Sequence, residues 1–328
     1  MERKGCCFVL AALLFATSLQ AQFVRGDVNG DLRVDVSDIS SVLSIMTEEE
    51  GGFQDTYVNY GKEYVVAIDG SGDYTSLIRC LMEHESEKNI VIRLMPGTYD
   101  MIEEMKDWYG PNFWENYRRE MSAPYFYGPA LKNGVTIIGC ANALVTCHYR
   151  GQNANVMTYF SPFNNSPFAS GFTLRSVNLE CSNVRYAIHD EIAGSAVPNK
   201  VTYDGCSIKI DNAGNTVWPY GRCIGGGLGV NSEIRIVNCH FESTGVNDRG
   251  AVVYHNSSGE NAKSLIICGN NYVAGRQGFR FRWYGPSTRM TRVLCMNNCV
   301  GMATILDGEV GATVENIELL DWGNVVRE

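Results

Sequence analysis

Five stretches of the second half decide the fold: FTLRSVNL from Phe172, VTYDGCSI from Val201, IRIVNCHF from Ile234, LIICGNNY from Leu265 and VLCMNNCV from Val293. Their starts lie 29, 33, 31 and 28 residues apart. Each copy alternates apolar with other residues for about four positions, then carries a small or polar residue and an apolar one. Alternation marks a half-buried strand. Recurrence at a period of tens of residues marks a solenoid, because one unit cannot bury its own apolar face and must stack on the next. With strands inside each unit, the solution is a parallel β-helix. A β-sandwich with evenly spaced strands would bring its turns about every 8–12 residues, which is too short a period for these repeats.

Composition agrees. Hydrophobic residues make up 45% of the 328, enough for a long core, and 34 glycines against 9 prolines suit a chain of many tight turns. The net charge is −9, much of it in residues 22–60, and nothing resembles the basic patch that nucleic acid requires. The first 21 residues read as a secretory signal, with Arg3 and Lys4, an apolar run, and Leu19-Gln20-Ala21 as the cleavage site. No later segment is long and apolar enough to span a membrane, so the expectation is a secreted chain. Ten cysteines follow the signal. Export permits disulfides, but Cys206 and Cys239 fall at the same place in successive repeats, where stacked free thiols in a dry core fit as well.

Between the signal and the solenoid, residues 26–46 read GDVNGDLRVDVSDISSVLSIM. Asp27, Asn29, Asp31, Asp35 and Asp38 occupy positions 1, 3, 5, 9 and 12 of an EF-hand-type loop, with the Arg33 carbonyl at position 7, an all-oxygen shell suited to Ca2+. Ile39, Val42, Leu43 and Met46 then share one helix face. The stretch resembles one half of a type I dockerin, and that resemblance implies a cohesin-like scaffold as partner. Leu32 stands where such loops usually have glycine, and no second loop follows. The organisation expected is thus a signal at 1–21, a half-dockerin-like module at 22–47, a linker at 48–62 and the β-helix at 63–328.

Residues 65–100 run strand, glycine-rich turn, amphipathic helix, strand and Pro-Gly turn. Asp69-Gly70-Ser71-Gly72-Asp73-Tyr74-Thr75 and Pro96-Gly97-Thr98-Tyr99 make this stretch similar to the opening of pectinesterases and other pectin-lyase-like proteins. The resemblance implies an all-β, single-stranded, right-handed parallel β-helix whose first coil is plugged by a helix. An insertion at 101–131 carries eight aromatic residues, suited either to stacking on sugar rings or to packing a lateral helix on the barrel.

The second apolar segment of each repeat is where chemistry is expected: RYAIHDE from Arg185, RCIGGGLG from Arg222, AVVYHN from Ala251 and GFRFRWYG from Gly278. If Tyr186 and Ile188 point inward, His189 and Glu191 point out. Inward Val252 and Tyr254 turn His255 out; inward Phe279, Phe281 and Trp283 turn Arg280 and Arg282 out. With coils about 4.8 Å apart, the two histidines lie two coils, or roughly 10 Å, from each other. The side-chain-free coil at 225–227 between them would leave a trough the width of a sugar ring.

Such a trough suits β-elimination on an acidic polysaccharide, with His189 or His255 as base and Arg280 or Arg282 gripping the uronate carboxylate in a fork. Glycoside hydrolysis needs two carboxylic acids, for which Asp190, Glu191 and Asp248 are the candidates. The paired aspartates, arginine and glutamines of pectinesterases are absent from the corresponding coils. The function expected is therefore carbohydrate-directed, as a lyase or hydrolase, or as a glycan-binding protein of the adhesin or tailspike kind.

Overall fold

The architecture is known from a computed structural model. It describes residues 61–111, 126–149, 160–161, 163–165, 171–191, 200–213, 221–229, 231–244, 250–256, 264–283, 291–308 and 317–327, all within one compact unit spanning Asn59–Glu328. The secretory signal, the calcium loop with Asp27, Asn29, Asp31, Arg33, Asp35 and Asp38, and Asp248 lie outside the described residues.

Strands stack into three parallel sheets of nine, eight and seven, with a separate two-stranded pair. Each coil contributes a strand to successive sheets, so that strands distant in sequence become hydrogen-bonded neighbours. In the first sheet Gly171–Arg175, Lys200–Asp204, Glu233–Val237, Ser264–Gly269 and Thr291–Met296 follow one another. The repeated phrase is therefore a stack of coils, and the parallel β-helix predicted from it is what the chain forms.

The register corrects one copy. Phe172, Val201 and Ile234 align as expected, but the next in line is Ile266, not Leu265, followed by Val293. Leu265-Ile266-Ile267 is apolar throughout and carries no parity of its own. The turn four residues on supplies the marker: Ser176, Gly205, Asn238, Asn270 and Asn297 all take positive φ between 52° and 63°. Glycine and asparagine tolerate that left-handed conformation best. Counting back four from Asn270 gives Ile266.

The residue after this turn faces inward and forms a ladder. Its upper rungs are Val177 and the buried free thiols Cys206 and Cys239; all ten cysteines from Cys80 to Cys299 are unbridged. Its lower rungs are asparagines. Asn298 Oδ1 accepts from the Asn271 main-chain N at 3.0 Å and side-chain Nδ2 at 2.9 Å, while its own Nδ2 donates to the Cys268 carbonyl at 3.0 Å and to Asn324 Oδ1 at 2.9 Å. Asn298→Ala would orphan buried groups on two neighbouring coils. Such groups cost about 1–3 kcal/mol apiece, so a drop of roughly 2–4 kcal/mol in unfolding free energy is expected from urea titration.

At the N-terminal edge the helix Leu77–Glu83 sets Leu77, Ile78, Cys80 and Leu81 into the core beside Tyr64 and Val66. Ser76 caps it, and Glu104 of the helix Met101–Tyr109 accepts from Ser76 Oγ and Ile78 N. The pectinesterase-like residues are structural. Asp69 closes its turn onto Ser71, Asp73 accepts from Val65 N, and the buried Tyr99 hydroxyl donates to the Val66 and Met95 carbonyls. Of the insertion's aromatics, Trp108 and Tyr109 close the second helix, which buries Met101, Ile102 and Met105; Trp108 is exposed, Tyr109 packs partly against the core, and the side chains of the other six lie outside the described residues.

Candidate functional site

The third sheet carries the predicted residues on Tyr186–Glu191, Arg222–Leu228, Gly250–Asn256 and Gly278–Trp283. Register places His189 beside Gly225 and then Val253 and Arg280. Glu191 falls beside Gly227 and then His255 and Arg282. Alternation therefore turns His189, Glu191, His255, Arg280 and Arg282 to the outer face, as read from the sequence. It turns Asp190 inward with Gly226, Tyr254 and Phe281. Asp190 is fully buried and its Oδ2 accepts hydrogen bonds from Tyr254 at 2.6 Å and Tyr203 at 3.4 Å. It is a core residue, which removes it from the candidates for glycoside hydrolysis, and the parity that sends Ile188 inward is the reason.

The glycine coil is not an empty trough. A Cβ at Gly227 would overlap Glu191 Oε1 and lie 2.8 Å from His255 Cε1; one at Gly225 would lie 2.7 Å from the Tyr186 ring. Each glycine is roofed by a side chain reaching over it. Across Gly227, Glu191 Oε2 and His255 Nε2 meet at 2.9 Å although their strands are two coils apart, and His189 Nε2 stands 3.9 Å from the same oxygen. One carboxylate thus faces two imidazoles. Facing an ionised carboxylate, Nε2 of His255 is the donor, which leaves Nδ1 carrying the lone pair.

Tyr186 differs from expectation. It lies on the outer face, its ring stacked on His189 at 5.0 Å and 11°, with the Arg185 and Arg222 guanidiniums 4.9 and 5.6 Å from its centroid. Arg222 Nη1 also donates to its hydroxyl at 3.4 Å. Inward parity counted back from Ile188 fails because the strand begins there, at the bend after Val184. Arg185 and Arg222 were missed for the same reason, although both open quoted segments.

The two histidines differ in access: the His189 side chain is 9% exposed, that of His255 26%. Burial is the main cause that pulls the His189 pKa down from 6.5 to about 4, with the Arg185 and His255 charges adding to it and Glu191 opposing it. The unfolded chain binds this proton in a window where the folded chain does not. Stability conferred by the neutral ring is complete above pH 6.5 and is lost as pH falls toward 4, by about 3 kcal/mol. Urea titrations at pH 7 and pH 4.5 should show His189→Gln to be less acid-sensitive than the unaltered chain.

Positive charge gathers on this face. Arg185, Arg222, Arg280 and Arg282 gather around Glu191 in a chain of net charge −9. Among the described residues no group of three or more His, Cys, Asp or Glu is arranged to hold a metal ion, and no helix is long and apolar enough to cross a membrane. Fold and face together define a parallel β-solenoid with a cationic, histidine-bearing sheet. No family model, curated protein or solved structure matches the chain. The likenesses to pectinesterases and dockerins rest on the residues quoted for them.

Proposed function

We propose that this is an exported, carbohydrate-active β-helix protein that cleaves an acidic polysaccharide by β-elimination on the third sheet. The observation that carries the reading is the 2.9 Å Glu191–His255 pair beside Arg282, its register neighbour, and Arg280. In this reaction the arginine forks pair the uronate carboxylate, stabilising the charge that builds up as the α-proton leaves. His255 takes that proton on Nδ1, the electrons of the broken C–H bond form the new C=C bond, and the bond to the glycosidic oxygen breaks, the departing oxygen taking a proton from solvent. Glu191 orients the imidazole and stabilises the imidazolium. His255 suits the base role better than His189 because it is the more exposed. Residues 22–47 fit the same proposal as a Ca2+-dependent module for a scaffold of the cohesin kind.

Retention on immobilised polyuronate, with a carboxyl-reduced polymer as control, tests the ligand class. The acidic polymer should retain the protein in a salt-dependent manner and the reduced one should not; equal retention, or none, rejects an acidic glycan. Retention without cleavage would instead make the protein a glycan-binding adhesin.

A further inference from the structure

The glycine coil joins two bonds, one on each side of the sheet. Outside, Glu191 meets His255 at 2.9 Å across Gly227. Inside, Asp190 meets Tyr254 at 2.6 Å across Gly226. The inner partners are the immediate chain neighbours of the outer ones, 190 beside 191 on one strand and 254 beside 255 on another two coils along. Those two strands share no ladder with each other; Arg222–Leu228 lies between them and pairs with both. That intervening strand carries three successive glycines, and glycine in a strand gives no side chain to fix its neighbours.

We propose that Asp190 and Tyr254 are positioning residues: their bond in the core sets the offset of the two strands, and so holds the Glu191–His255 pair outside. Asp190 and Tyr254 are both fully buried. Burial and the Asp190 charge hold the Tyr254 and Tyr203 phenols well above their ordinary range, so both remain donors. A buried phenol deprived of its acceptor is costly, which makes the inner bond hard to break. The outer bond lies at a partly exposed surface and tolerates little displacement, since hydrogen bonds fail beyond about 3.5 Å. The stiff bond therefore governs the soft one. The inference rests on the lyase reading for what the pair does, but its geometry is testable without substrate.

The test is the low-field proton NMR signal of the His255 imidazole, assigned by its absence in His255→Gln. The unaltered chain should show a protected Nε2 proton. Tyr254→Phe removes one hydroxyl and should speed its exchange with water at least tenfold. Asp190→Asn keeps an acceptor, but a neutral one, and should give an intermediate rate. Phe281→Leu loosens the same inward column one coil on without touching the bond, and should leave the rate unchanged. The proposal is overturned by a wild-type rate in Tyr254→Phe, by an equal acceleration in Phe281→Leu, or by the absence of a protected proton in the unaltered chain. If Tyr254→Phe does not fold, Asp190→Asn decides alone, and a wild-type rate there overturns the proposal. A protected proton that responds as stated, in a protein that cleaves no polyuronate, removes the lyase reading and leaves this one standing.

Discussion

Gly226→Ala should strongly destabilise the protein, whereas Gly227→Ala, one residue on, should leave it folded and disable the outer face. A methyl at Gly226 would overlap the Asp190 main-chain oxygen and lie 2.7 Å from its carbonyl carbon. Those atoms belong to the adjacent strand and cannot move without breaking its ladder. Overpacking of this kind costs about 1–3 kcal/mol and sometimes more; a backbone obstacle puts Gly226→Ala at the upper end, about 3 kcal/mol. At Gly227 the obstacles are Glu191 Oε1 and the His255 ring, the far ends of side chains that can swing into solvent. Swinging away costs little stability but parts the pair. Thermal melts of the two variants check this directly: a large drop for Gly226→Ala and a small one for Gly227→Ala. Equal melting temperatures would mean that the two glycines do not face opposite sides of the sheet.

His255→Ala should lower the rate of polyuronate cleavage by about 10²- to 10⁴-fold, the usual range for removing a general base. Glu191→Gln should cost less, because the amide oxygen still accepts from Nε2 while the charge that stabilises the imidazolium is gone. Initial rates at saturating polymer separate the two. A rate unchanged in His255→Ala would take the base role from this residue. His189, buried and stacked beneath Tyr186, would then have to supply it.

The fold was legible because strand parity and repeat spacing are local properties. Phe172, Val201 and Ile234 declared their coils by alternation; the runs at 265–267 and 293–296 are both apolar throughout, and the first of them slipped by one. The outward facing of His189, Glu191, His255, Arg280 and Arg282 came from the same parity. What parity could not give is how far a side chain reaches over a neighbouring coil. Read alone, the glycines at 225–227 look like a vacancy. In the structure Gly225 and Gly227 are clearance for Tyr186, Glu191 and His255, a relation among three coils that no single strand encodes. Asp190 was misplaced for a simpler reason: its chemistry suggested a role that its even spacing from Ile188 contradicts. Tyr186 shows where parity ends, since a strand's alternation does not extend through the bend at its start.

The most direct test of the proposed chemistry is to incubate the purified protein with a panel of uronic-acid polysaccharides and follow ultraviolet absorbance. β-Elimination leaves a C=C bond conjugated to the carboxylate on the new non-reducing end, so absorbance should rise with at least one polymer and fail to rise with its carboxyl-reduced form. No rise with any uronate polymer, under conditions where the protein is folded, would contradict the account.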